Sequence, residues 1–331
     1  MNLTKKTMII LTAMLLIGPP NEARADMVGP ISRAISGAFQ KFMTAWESKA
    51  GGLASEESAF SRFFLRGAIR FTAPRGEKIL DLIGDTPPMD TTISLSQWNA
   101  LPNSVDLRPW DNPIQNQQQE GMCTAFAIAA VLESKIATTK GTKMKLSERQ
   151  IWSFFKVPNI QLALRSIDNK AIFTDDVWPF DTTRPRKQIA QKSARFKALD
   201  PDALLGLAID TITVTNAMEM LSLGVPLVLA TETTKAFESP TLNRGARRGH
   251  IGVGAAGTDS GHAMAIVGYK KDITIAGGGY FIVRNSWGEK WGDRGYGYLP
   301  FDHCRAHPCV AWAIASDVTV SNVPINVGEA R

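Results

Sequence analysis

The chain has 331 residues, 44% apolar and 21% charged, with a formal net charge of +6. That length allows one large or two ordinary domains, and the composition excludes both a disordered chain and a polytopic membrane protein. The positive balance is mild and no basic stripe interleaved with aromatics runs through the sequence, so no nucleic-acid partner is expected.

Residues 1–25 read MNLTKKTMIILTAMLLIGPPNEARA, with a basic start at Lys5 and Lys6, an apolar stretch over 7–18, and an Ala23-Arg24-Ala25 cleavage pattern. The stretch is shorter than the roughly 20 residues a spanning helix needs, so it reads as a cleaved signal peptide and not as a stable membrane anchor. Export to the periplasm or beyond the cell follows. Removing three positive charges and one negative charge from +6 leaves about +4 on the mature chain.

Residues 26–100 read as a helical N-terminal region. Ile31, Ile35, Phe39, Phe42 and Trp46 recur at helical spacing, and Phe60, Phe63, Phe64 and Ile69 suggest a second amphipathic helix. The run Asp85-Thr-Pro-Pro-Met-Asp is a turn or link into a larger body, residues 101–331.

In the body, a polar loop, NQQQEGM, meets a helix beginning at Cys123. Ala125, Phe126, Ile128, Ala129, Val131 and Leu132 make that helix apolar nearly all round, which predicts a buried central element. A lone thiol at this junction is either a small core hydrophobe or a nucleophile. The positive end of the helix dipole favours the thiolate. Residues 145–197 look like mixed helix and loop. From Val225 onward, VPLVLAT, HAMAIVGY, GYFIVRNSW and GYGYLPF read as strands. Helices first and strands later predict an α+β fold, a helical lobe packed on an antiparallel sheet.

Two local patterns are set aside. Gly252-Val-Gly254-Ala-Ala-Gly257 has dinucleotide spacing but precedes a strand pattern where that chemistry needs a helix N-terminus, so it reads as a loop. Arg244, Arg247 and Arg248 read as a solvated cluster.

The three cysteines are Cys123, Cys304 and Cys309. An odd count in an exported chain suggests one pair and one remaining thiol. The segment DHCRAHPC, 302–309, crowds two thiols and two imidazoles too closely for tetrahedral zinc. A local Cys304–Cys309 disulfide or two free thiols is expected there, with no metal and no other cofactor. A thiolate nucleophile also needs a base, and the base an orienting group. His262 opens an apolar strand, and Asn285 lies in VRNSWGEKWGDRGYGYLP. The amide oxygen of Asn285 can accept from one imidazole N–H and so fix the tautomer that faces the thiol.

These residues carry a resemblance. LPNSVDLRPW, PIQNQ, CTAFAIAAVLE, LSERQ, VWPF, GVPLVLA, GHAMAIVGY and NSWGEKWGDRGYGYLP occur in the order of the papain-family cysteine peptidases, over about residues 101–316. The resemblance implies a two-lobed papain-like fold and a peptidase acting on protein or peptide substrates. Cys123 would be the nucleophile, His262 the general base and then acid, Asn285 its orienter, and Trp287 the shield of their hydrogen bond. Gln117 would share the oxyanion site with the N–H of Cys123, and Ala230 and Ala263 would line the P2-side pocket.

Departures accompany the likeness. Glu120 stands where the family has a disulfide-bonded cysteine, and the Cys-x-Gly-Gly stretch that pairs with substrate is absent after LSERQ. The unprimed side of the cleft is therefore remodelled. A helical pro-segment blocks the cleft in the family, so residues 26–100 are read as a possible autoinhibitory propeptide. The alternatives are a binding or inhibitory protein on the same scaffold with residual or no activity, or an amidase or transpeptidase sharing the acyl-enzyme chemistry.

Overall fold

The structure, a computed structural model, describes residues 77–84, 89, 93, 95–181, 189–190, 193–198, 206–207, 213–238, 240, 248–255, 260–314, 316–321 and 325–326. The signal peptide, both amphipathic segments before residue 70, most of the 85–90 link, and Arg244, Arg247 and Gly257 lie outside the described residues. Those that are described belong to the unit Ala73–Arg331.

Strand β1 (Glu77–Lys78) runs into α1 (Ile79–Ile83), and α2 (Leu95–Ala100) precedes β2 (Ser104–Asp106). Next come α3 (Cys123–Lys140), α4 (Glu148–Phe155), α5 (Ile160–Ser166) and β3 (Ala171–Phe173). Short strands β4 (Ile189–Ala190), β5 (Ser193–Ala198) and β6 (Gly206–Leu207) lead to α6 (Val214–Ser222), β7 (Leu227–Glu232) and α7 (Lys235–Glu238). The chain closes with β8 (Ser260–Lys271), β9 (Gly279–Arg284), β10 (Tyr296–Pro300), α8 (His303–Ala306), β11 (Cys309–Ile314), β12 (Ser316–Ser321) and β13 (Ile325–Asn326).

The expected α+β architecture is present. An antiparallel sheet runs β10-β9-β8-β7-β11-β6, and β1 and β2 also pair with β8, at its start and its end. A β-carbon on Gly268 would sit 2.3 Å from the Val105 carbonyl, so only glycine lets β2 approach where the register shifts between Ile266 and Gly268. The helical lobe is built on α3, which is buried along residues 123–134 and packs on β8 and β7, with α4 and α5 against it. Gly141, at φ 64°, ends α3 in the left-handed conformation that glycine adopts without strain.

Within 145–197 the structure departs from the expected helix and loop. Strand β5 joins β12 and β3 in a second sheet, with Ala194 and Phe196 buried and Arg195 and Lys197 exposed. The alternation is present in SARFKA, but its partner β12 lies more than a hundred residues away, where a local pattern cannot point.

Candidate active site

Helix α3 begins at Cys123, so the thiol sits in the first turn, at the positive end of the dipole. It is 2% exposed. The start of α3 is tied down by Thr124, whose Oγ1 donates to the Pro158 carbonyl at 2.6 Å. Strand β8 carries His262, 4% exposed, on the face that also carries Met264. Met264 shares a small interior cavity with Phe126, Ala127 and Ala130 of α3.

Asn285 follows the end of β9. His262 Nε2 and Asn285 Oδ1 are 2.7 Å apart, and the Ser286 N–H donates to the same oxygen at 2.7 Å. Two contacts on one amide oxygen fix which way the Asn285 side chain points. An amide oxygen only accepts, so Nε2 carries the proton and Nδ1 is the unprotonated nitrogen. Burial, opposed by the Asn285 bond, pushes the His262 pKa down to about 4. A neighbouring negative charge would draw a second proton onto the ring.

Trp287 lies over this pair, its ring centroid 4.6 Å from that of His262. The sequence reading missed Phe237 of α7, which is fully buried between His262 (6.0 Å), Trp287 (5.6 Å) and Trp291 (5.4 Å). Its carbonyl accepts from Trp291 Nε1 at 3.1 Å. Together these rings exclude water from the His262–Asn285 bond. No local signal in TTKAFE marks that role.

Gln117 is held from two sides. Its backbone N–H donates to the Ser286 carbonyl at 2.7 Å, and the Ser286 hydroxyl donates to its Oε1. Its Nε2 donates to the Glu120 carbonyl at 2.8 Å and keeps one further N–H. Ser286, also unrecognised in sequence, thus fixes both Asn285 and Gln117.

Beneath the site the lobes meet through buried charge. Arg284, next to Asn285, donates through Nη2 to the carbonyls of Asn112 (3.0 Å) and Pro113 (3.1 Å). Its Nη1 lies 3.8 Å from Asp111 and 3.9 Å from Glu133 of α3. Burial raises Asp111 to about 6 against the pull of Arg284, and burial raises Glu148 of α4 toward about 6 against the adjoining Lys145.

Ala230 and Ala263 are cross-strand partners on β7 and β8, both fully buried. They face away from His262, on the face shared with Gly261, and that face is covered by α1. A β-carbon on Gly261 would lie 2.6 Å from Ile79 Cα and 2.8 Å from Leu82 Cδ1.

Cys304 and Cys309 form a disulfide. His303 contacts the Thr231 hydroxyl (3.1 Å) and the Glu232 carbonyl (3.3 Å) through Nε2, while His307 donates from Nε2 to the Val253 carbonyl (2.8 Å) and faces the Glu232 carboxylate with Nδ1 (3.2 Å). Among the described residues no cluster of three or more His, Cys, Asp or Glu is arranged to hold a metal, and no helix is long and apolar enough to cross a membrane.

Comparison with known proteins gives the family and the fold. Residues 101–310 match the family described as papain family cysteine protease. The chain is 29% identical over 206 residues to the cysteine endopeptidase RepA of Oryza sativa subsp. japonica, a match covering 59% of this chain and 51% of the relative. To pro-cathepsin H of Mus musculus it is 26% identical over 212 residues, covering 59% of each. The chain thus spans about half the length of the curated relatives it matches. Among solved structures, xylellain, a cysteine protease from Xylella fastidiosa, superposes with a TM-score of 0.52 at 18% identity, over 75% of this chain and 100% of that one. That likeness is one of fold.

Proposed function

Because the chain belongs to the papain family of cysteine proteases, we propose that it is an exported peptidase that hydrolyses peptide bonds through a thioester on Cys123. The Cys123 thiolate adds to the scissile carbonyl carbon. The resulting oxyanion is received by the Cys123 N–H and the remaining Nε2 proton of Gln117. The C–N bond then breaks and the departing amine takes the proton from His262. Water, losing a proton to His262 Nδ1, attacks the thioester, which releases the acid and returns the thiolate. Asn285 holds the imidazole for both transfers, and Trp287 and Phe237 keep that bond dry.

The observation that carries this reading is the 2.7 Å contact of His262 Nε2 with Asn285 Oδ1, which leaves Nδ1 for the thiol. The test is the rate of Cys123 alkylation by iodoacetamide against pH, followed by mass spectrometry. Labelling is expected to persist well below pH ~8.5, the ordinary thiol value, and to lose that low-pH limb in His262→Ala. Peptide hydrolysis is expected to vanish in Cys123→Ala. An ordinary thiol titration would sink the proposal and favour a binding protein whose function survives Cys123→Ala.

Residues 1–25 are assigned to the export signal, 101–331 to the catalytic body, and the N-terminal region between them to restraint of the site. Supporting the restraint is the pairing of Glu77 with Gly261 and of Lys78 with Ser260, beside the proposed base. The substrate is a protein or peptide, and the site of action is the periplasm or the exterior.

A further inference from the structure

We propose that His307 is a positioning residue for the proposed base: it pins the two chain segments that flank α7 and so holds Phe237 against the His262–Asn285 pair. This rests on the peptidase reading above.

The pin joins three parts of the fold. His307 follows α8, its N–H bonded to the His303 carbonyl at 2.8 Å, and its ring is buried. Nε2 donates to the Val253 carbonyl at 2.8 Å, and Nδ1 lies 3.2 Å from Glu232 Oε2. A carbonyl oxygen only accepts, so the Nε2 proton is committed to Val253. The contact at Nδ1 then closes only around a further proton shared with the carboxylate. Among the described residues, the titratable groups against this ring are Glu232 of β7 and His303 of α8, the latter stacked on it at 4.6 Å. Burial, and then the charge on His307, push the His303 pKa down to about 4, so the stacked rings carry their charge on His307.

Helix α7 is a single turn, closed by the Phe237 and Glu238 N–H groups on the Thr234 carbonyl at 2.9 and 3.0 Å. A turn this short takes its position from what packs around it. On one side is Glu232, the last residue of β7, whose N–H also donates to the Pro308 carbonyl at 3.3 Å. On the other is the loop carrying Val253. A β-carbon on Gly252 would lie 3.4 Å from Ala236 Cβ, and one on Gly254 would lie 2.9 Å from Thr234 Oγ1, so this loop rests directly on α7. His307 therefore bonds both the strand end that enters α7 and the loop that lies on it. Phe237 carries that restraint to His262 and Trp287, where it keeps water from the His262–Asn285 bond.

The test reads Cys123 alkylation by iodoacetamide at two pH values. At pH ~6 the rate needs the thiolate held by His262, whereas at pH ~9.5, above the ordinary thiol value, it reports access alone. His307→Phe keeps the bulk of the ring and removes both polar contacts. Its rate at pH ~6 is expected to fall about tenfold, with the rate at pH ~9.5 within about twofold of the unaltered protein. A general loosening of the fold would change both rates. Phe237→Leu is expected to give the same selective loss, and the double variant no more than the larger single loss, because both act on one contact. In Glu232→Gln the amide N–H donates to Nδ1 of a neutral ring, so both bonds persist and the pH ~6 rate is expected to hold within about twofold. Should His307→Phe fail to fold by thermal melt, the pair His307→Phe, Glu232→Gln carries the comparison, since it removes the buried negative charge along with the ring that faces it. Losses that add in the Phe237 double variant would overturn the proposal. So would an equal loss at both pH values, or a loss in Glu232→Gln as large as that in His307→Phe. If the unaltered protein labels at low pH and His307→Phe labels as fast, this inference falls alone. If the unaltered protein does not label at low pH, the peptidase reading falls with it.

Discussion

The side chains proposed to do the chemistry are fixed by a neighbour proposed to do none. Ser286 holds the Asn285 amide oxygen through its N–H and the Gln117 amide through its hydroxyl, so the orientations of the proposed base and of the proposed oxyanion donor share one residue. Gln117→Ala is expected to lower kcat by roughly 10²–10³ with little change in KM, because its free N–H meets charge that exists only in the transition state. Steady-state kinetics check this, and a rise in KM alone would mark Gln117 as a ground-state contact. The residues proposed to react could be singled out in sequence because each sits at a fixed offset within a motif: Cys123 at the helix start, His262 in GHA, Asn285 in NSWG. Ser286 lay inside the same motif, yet its dual role exists only once Gln117, 169 residues earlier, is folded against it.

Among the elements, α7 is four residues long and buries one side chain, Phe237, against the ring system around His262. Truncating a fully enclosed phenylalanine costs about 3–5 kcal/mol. Phe237→Ala is therefore expected to lower the unfolding free energy by that much and to weaken catalysis through Trp287, read by denaturant unfolding alongside kcat. Near-neutral stability would mean the rings close up without it. Long, strongly patterned elements such as α3 and β8 announced themselves in the sequence. The short ones did not: ILDLI offers barely more than a helical turn, too few residues for a period to register, and β5 needed a distant strand to make its alternation meaningful.

For the molecule as a whole, stability against pH is a balance between two kinds of buried group. Burial holds His303 near pKa 4, well below the ordinary 6.5, so it binds a proton only on unfolding as pH falls below about 6.5. Its contribution is present above pH 6.5 and is lost toward pH 4, roughly 3 kcal/mol at the limit. Asp111 and Glu148, raised to about 6, act oppositely, since they keep protons in the fold that the unfolded chain releases. Their contribution is complete below about pH 4 and disappears as pH rises through 6. The two effects nearly cancel, so the melting temperature of the unaltered protein is expected to change little between pH 6.5 and 4. The double variant Asp111→Asn, Glu148→Gln is expected to lose stability steadily on acidification over that range, read by calorimetry. A flat profile in the variant would show that His303 is not held neutral.

The disulfide has a consequence for how the chain is made. Cys304 and Cys309 are separated by only five positions, so the ring they close removes about 2 kcal/mol of unfolded-chain freedom and joins no two distant parts of the molecule. Both thiols leave the ribosome almost together, and the bond can form before any sheet exists. Oxidation is thus uncoupled from assembly: the fold does not wait on a shuffling partner, and a reducing host withholds little of what the finished protein needs.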